Sequence, residues 1–357
     1  MKSGISGLLI IILSYLLFWP VAIDPVAWHA PEDEGFTGQF ASNNTLANMS
    51  LIDLKGNTGP EDFAVNSEGR IAISTHSGDI LSFDPKTESL SLLATTQGRP
   101  LGIEFDQTGA LVIADAERGL LRLDAENNLT VLATSFDNNL LGYVDDVDLD
   151  SAGNIYFSDA SSKFSPRNAS GALEASLEDL MEHGGHGRVY RYSPSTQQLT
   201  LLVDNLNFAN GIAVSHDQKS VLINETGAYR VLRYWLSGKR QGQVDVVIDN
   251  LPGFPDNIAR DETRGYWLGL ASPRSTAVDA LAPYPFLRKI VQRLPEFMRP
   301  AAKHYGHIVH LDETGQVLAS LQDPQGKLPM TTGAIRIQDR LYISSLTSTS
   351  FGILDFQ

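Results

Sequence analysis

The sequence predicts an all-β fold, a six-bladed β-propeller, and three observations predict it. A short pattern recurs six times, beginning at Glu61, Leu101, Asp145, Asn210, Asp256 and Thr332. Each copy runs into an apolar stretch, as in Asp145-Asp146-Val147-Asp148-Leu149 or Asn210-Gly211-Ile212-Ala213-Val214, and a second apolar run follows within about ten residues, as expected of paired strands. The gaps between copies are 40, 44, 65, 46 and 76 residues, against a blade period of roughly 40–45.

Two gaps are too long, and each contains a visible insertion. Residues 161–186 include Ala172 to Glu182, whose spacing is helical. Residues 274–304 carry Phe286 to Val291 and Leu294 to Met298, which read as two short amphipathic helices with basic faces. Setting both aside restores the period. Turn sequences repeat as well: Asn66-Ser67-Glu68-Gly69, Asp106-Gln107-Thr108-Gly109, Asp150-Ser151-Ala152-Gly153 and Asp312-Glu313-Thr314-Gly315 each suit a tight connection between neighbouring strands.

The chain begins differently. Ser3 to Ile23 carries no charge and is rich in Leu and Ile, about enough to cross a ~30 Å hydrocarbon layer as a helix. With Lys2 on the cytoplasmic side and Trp19 and Trp28 at an interface, residues 1–23 are expected to be an uncleaved membrane anchor. Residues 24–46, rich in Pro, Asp, Glu, Asn and Gly, read as a linker, and residues 47–357 as the propeller, held outside the cytoplasm. Asn48 to Leu54 is expected to pair with the last repeat and close the ring.

Composition narrows the function. The 357 residues carry a formal charge of −15, so no basic surface dominates and a nucleic-acid partner is not expected. There are no cysteines, so disulfides and thiolate metal sites are excluded.

Matching positions of successive blades project onto one ring around the channel. Asp, Glu and Asn make up about one residue in six of this chain, yet four of the six ring positions hold one: Glu61, Asp145, Asn210 and Asp256. Oxygen donors at one depth are what calcium requires. Unneutralised, the three carboxylates would repel one another. Zinc would want His or Cys, and the ring has neither. Asp146 and Asn257, one residue further on, are candidate additional ligands or supporting groups. His183 and His186 read as a solvated loop, while His304, His307 and His310 are spaced by three, which on a strand does not favour a shared metal.

Longer stretches carry a resemblance. Phe208 to Ser215, Asn224-Glu225-Thr226, Arg233 to Gly238, Leu251 to Ile258 and Leu341 to Leu346 resemble the strictosidine synthase-like family, over most of Pro60 to Phe356. Its animal branch, the adipocyte plasma membrane-associated proteins, also has an N-terminal membrane anchor. More distantly the chain is similar to the paraoxonases and the senescence marker protein/gluconolactonase group. The resemblance implies a six-bladed propeller with calcium in its channel and, in the hydrolytic branches, lactonase or arylesterase activity. It matches Glu61, Asn210, Asp256 and Asn257 to metal ligands, and places Asp145 where those groups usually have Asn. The His that paraoxonases use in the second blade is missing from Arg99-Pro100-Leu101-Gly102.

The leading expectation is therefore a membrane-anchored, calcium-dependent hydrolase of a small-molecule ester or lactone. One calcium ion, held by Glu61, Asp145, Asn210, Asp256 and Asn257, would polarise the carbonyl. Asp256 or Asp146 would accept a proton from water. The alternatives are a ligand- or protein-binding propeller with structural calcium, and an amine–aldehyde condensing enzyme.

Overall fold

The computed structural model, which describes residues 2–356, contains six four-stranded antiparallel sheets. Five are continuous in sequence. Their innermost strands are Phe63–Val65, Pro100–Phe105, Val144–Leu149, Ala209–Val214 and Gly253–Arg260. The sixth blade takes three strands from the C-terminus and its outermost from the N-terminus: Ser50–Asp53 pairs antiparallel with Ser350–Asp355, Leu51 opposite Gly352. Closure of the ring by the first strand is thus as the sequence predicts, and it protects an edge that would otherwise stay open.

The core lies between blades. Ala213, Leu222, Val231, Ile258, Leu268 and Val309 fill the space between blades four and five, and Val112, Leu120, Val147, Ile155 and Tyr190 that between blades two and three. The expected turns also form. Asn66 Oδ1 accepts the amides of Glu68 and Arg70, Asp106 Oδ1 those of Thr108 and Ala110, and each turn ends in a glycine with positive φ, Gly69 and Gly109.

Both insertions are helical, as expected. The first contains α2 (Ala172–Glu182); the second contains α3 (Thr276–Leu281), α4 (Pro285–Gln292) and a 3₁₀ turn at Glu296–Met298. They pack side by side over one mouth of the channel.

The N-terminal region departs from expectation in two ways. Helix α1 covers Lys2–Phe18 and stops there, because Pro20 lacks an amide hydrogen and disfavours helical backbone at the residue before it. At 17 residues it is about 25 Å long, and no helix among the described residues is long and apolar enough to cross a membrane. The rest of the uncharged stretch turns back to the domain: Ile23 is buried with Leu101, Tyr143, Phe164 and Phe208.

Residues 24–46, expected to be a linker, lie along the propeller instead. Val26 and Trp28 donate their amides to Glu182 O and Ala282 O. Trp28 stacks on His183 at 3.9 Å and Phe36 on Tyr305 at 4.9 Å, and Gln322 Nε2 donates to Phe40 O. The polar composition conceals apolar side chains placed for docking.

The basic faces expected of the second insertion are also turned inward at Arg274, Arg288 and Arg293. Arg288 is buried and donates to Met181 O and Glu182 O at the end of α2, to Ala282 O at the end of α3, and to Val26 O. Arg293 donates to Leu16 O and Trp19 O at the end of α1. The last carbonyls of a helix lack intrahelical partners and sit at its negative end, so a guanidinium is a fitting cap. Two arginines thereby tie three helix ends together.

Candidate functional site

In the inner strands of blades two to five the pairing slips at the repeat position: between Pro100 and Ile103, Val144 and Val147, Ala209 and Ile212, and Pro255 and Ile258. Each slip is a β-bulge, which bends the strand and re-aims side chains. The first residue of each bulged pair turns into the channel beneath the insertions. Leu101, Asp145, Asn210 and Asp256 therefore line one cavity together with Glu61.

The second residue turns toward a neighbouring blade. Asp146 Oδ2 accepts the amide of Ile212 at 2.7 Å and its Oδ1 that of Val147 at 2.8 Å, while in blade one Asp62 Oδ2 accepts Ile103 N at 2.9 Å. Asn257 Nδ2 donates to Glu61 O at 3.0 Å. This approach is close enough that blade two needs glycine: a Cβ on Gly102 would lie 2.1 Å from Asp146 Oδ1. Asp146 and Asn257 thus do not line the cavity that holds Glu61, Asp145, Asn210 and Asp256. Asp146 borders a separate cavity with Asp62, Asp148, Glu104 and Arg260.

Thr332, the sixth ring position, donates to Glu61 O at 2.7 Å and joins the last blade to the first. Met330 and Leu346 face the cavity on that side.

The cavity measures about 900 Å³, its open mouth included. Its floor is polar and its walls are apolar. Leu173, Ser176, Leu177 and Leu180, at helical spacing on one face of α2, form one wall. Phe208, Tyr143 and Phe254 form others, and Ser275, Val278 and Pro300 to Lys303 bring in the second insertion. Tyr143 is held by a hydrogen bond from its hydroxyl to Ala172 O.

Arg99 is the residue that sequence reasoning missed. Its side chain is buried beside the floor, and Nη2 meets Glu61 Oε2 at 2.8 Å. Its signal was present, one residue before Pro100 and two before a ring position, but a partner 38 residues away is not readable from spacing. Burial pushes the Glu61 carboxyl up, and Arg99 opposes that rise. Asp145 is pushed well above the usual carboxylate range by burial and then by the charge of Glu61. Asp256 is raised by burial and by both Glu61 and Asp145, against a hydrogen bond from Asn210 Nδ2 at 2.7 Å.

Three carboxylates thus share one guanidinium. Asn210 Oδ1 is buried without a hydrogen-bond partner. Among the described residues no three His, Asp or Glu side chains close on a common point as a metal-chelating group, so a cation here would draw on the Asn210 oxygen as well as on carboxylates. The surplus negative charge and the free carbonyl oxygen fit a hard divalent cation.

Other candidates lie elsewhere. Glu225 pairs with Arg230 at 2.6 Å and accepts the amide of Asn207. His183, half-buried, stacks on Trp28, and desolvation lowers it to about 3. His186 meets Glu182 at 2.6 Å. His307 bonds Ser320 Oγ and His310 bonds Arg264 O, so they share no ligand.

The strictosidine synthase family model matches residues 145–239, and that of the strictosidine synthase-like N-terminal region matches residues 38–83. The adipocyte plasma membrane-associated protein of Salmo salar is 30% identical across 99% of this chain and 88% of its own. Strictosidine synthase-like protein 3 of Arabidopsis thaliana is 31% identical across 87% and 86%. Among solved structures, a gluconolactonase from Xanthomonas campestris superposes with a TM-score of 0.61 at 18% identity, covering 88% of this chain and 91% of that one. A calcium-binding protein, regucalcin, from Agrobacterium tumefaciens does so with 0.58 at 14%, covering 87% and 96%. At those identities the structural likeness concerns the fold. The closing strand, the six in-register repeats and the extent of the sequence match together place this chain in the strictosidine synthase-like and adipocyte plasma membrane-associated protein family.

Proposed function

We propose that this protein is a calcium-dependent hydrolase of an apolar ester or lactone, held at a membrane by its N-terminal helix with the propeller on the extracytoplasmic side. The observation that carries the reading is the floor of the cavity. Glu61, Asp145 and Asp256 are buried together with an unpartnered Asn210 Oδ1, under apolar walls open at one end. Neighbours of the same fold include a gluconolactonase and a calcium-binding regucalcin.

Glu61, Asp145, Asn210 and Asp256 would hold the ion, with Asn257 supporting them through its bond to Glu61 O. Bound calcium supplies Lewis-acid polarisation of a carbonyl. The chain supplies the rest. Leu173, Leu177, Phe208 and Phe254 exclude water around the acyl or aryl part of the substrate. Asp256, whose orientation Asn210 Nδ2 fixes, is the carboxylate placed to accept a proton from the attacking water. Arg99 holds Glu61 in one rotamer and offsets part of the floor's charge. Asp146 acts at a distance: by binding the Ile212 amide it fixes the strand that carries Asn210.

The test is hydrolysis of a panel of aryl esters and lactones by the full chain, first with calcium and then with chelator. Turnover that disappears with chelator and returns with calcium supports the reading. Turnover indifferent to chelator, or none on any substrate, refutes it.

A further inference from the structure

Helix α1 is apolar and exposed: Leu8 to Leu13 have between 45% and 67% of their surface in solvent. A helix apolar on every face needs an apolar environment on every face, and the propeller provides none. Its far end, however, is fixed. Arg293 of the second insertion caps Leu16 O and Trp19 O, Lys289 pairs with Asp24 at 2.7 Å, and Ile23 is buried behind the cavity wall. The helix therefore leaves the domain at a defined place.

The insertion that holds that place carries a second set of exposed apolar side chains. Phe297 is 87% exposed, and Tyr284, Phe286, Leu287 and Met298 are exposed as well. All five come from the insertion that carries Arg293. It is also the insertion whose Ser275, Val278 and Pro300 to Lys303 border the cavity. Its composition contrasts with the rest of the chain: residues 274–304 hold six Lys or Arg against two acidic residues, in a protein of net charge −15. Three of the six arginines and lysines are turned inward, but Lys289, Arg299 and Lys303 remain at least partly exposed beside the aromatic residues. Aromatic side chains flanked by cations suit the headgroup layer of an anionic bilayer.

We propose that the second insertion is seated in the membrane surface beside α1, through Tyr284, Phe286, Leu287, Phe297 and Met298, so that the mouth of the acidic cavity faces the bilayer. The partner is a lipid surface. The cavity then receives lipophilic substrates that have partitioned into that surface, without their crossing bulk water. The seat rests on the anchoring part of the proposed function and not on the hydrolytic chemistry.

The chain has no cysteine, so single labels report on single positions. Phe297→Cys, Phe286→Cys, Ile11→Cys in α1 and Leu92→Cys on the outer strand of blade one are each labelled with an environment-sensitive fluorophore. Each full-length protein is then reconstituted in nanodiscs of phosphatidylcholine and phosphatidylserine, with and without spin-labelled lipid. The expected result is blue-shifted emission and quenching by spin-labelled lipid at 297, 286 and 11, with Leu92→Cys unaffected. A quenched label at 11 with solvent-like emission at 297 and 286 overturns the seat and leaves the anchor standing. No quenching at 11 overturns the anchoring on which the seat depends. Labels at positions this exposed do not disturb packing, and the Phe297→Asp, Met298→Asp double variant, read by the label at 286, gives a second test. Quenching there should fall by half or more, and undiminished quenching counts against the seat.

Discussion

Replacing Arg99 by methionine tests the electrostatics of the floor. The guanidinium and Glu61 are both almost fully buried, 2.8 Å apart. At an effective dielectric constant near 20 their attraction is about 6 kcal/mol, much of it offset by the desolvation of both groups. What Arg99→Met leaves behind is three buried carboxylates with no countercharge, and breaking a buried pair in that way costs about 3–5 kcal/mol. Glu61→Gln should cost less, because Arg99 still faces Asp145 and Asp256, both of which it stabilises as carboxylates. Calcium should reverse the difference. A ligand present at a hundredfold excess over its Kd stabilises by about 2.7 kcal/mol, and removing a competing positive charge should raise calcium affinity by at least tenfold. The assay is urea denaturation of wild type, Arg99→Met and Glu61→Gln in chelator and in calcium. Arg99→Met should be the least stable in chelator and gain the most from calcium. Equal calcium increments in wild type and Arg99→Met, or an Arg99→Met no weaker than Glu61→Gln in chelator, would show that Arg99 is not the countercharge of the floor.

Asp256→Ala should abolish ester turnover while leaving the melting temperature of the metal-free protein unchanged or raised, since it removes a buried charge. Asp146→Ala should do the reverse, lowering stability by about 1–3 kcal/mol for each backbone amide left unpaired while keeping calcium-dependent turnover; loss of turnover at full stability would assign Asp146 to the chemistry. Asp179 in α2, whose Oδ2 accepts from Ser161 Oγ at 2.5 Å, is raised to about 7 by burial. A raised acid binds its proton more tightly when folded, so its contribution is present below the unfolded pKa near 3.9 and is lost as pH rises to about 7, at about 1.4 kcal/mol for each pKa unit. Asp179→Asn should remove that part of the pH dependence between pH 4 and 7, as read by denaturation at several pH values. Arg288→Met should release the ends of α2 and α3 together and cost more than 2 kcal/mol, with faster hydrogen exchange confined to both insertions and residues 24–28.

The repeats were legible because bulges recur at one place in the inner strands of blades two to five and so favour similar residue types there. Which member of each bulged pair faces the cavity was not. Asp145 and Asp146 are equally acidic in the sequence, and only the slip between Val144 and Val147 sends one into the cavity and the other to the Ile212 amide. Arg99 stayed hidden for a different reason, since its meaning depends on a partner in another blade. The length of helix α1 was obscured by the absence of charge up to Ile23, although Trp19-Pro20 marks where a helix must stop. The arginines of the second insertion looked like a basic outer face because the carbonyls they cap belong to helices far away in sequence.

If calcium at the acidic floor makes this propeller a hydrolase, calcium titration of a chelator-stripped full-length protein will restore its turnover. Aryl-ester and lactone turnover is followed alongside the melting temperature. Turnover and melting temperature should rise together with one midpoint, and Asp256→Ala should lose the turnover response. A melting temperature that rises while every substrate stays intact would contradict that role for calcium, leaving the ion a structural plug in a binding propeller.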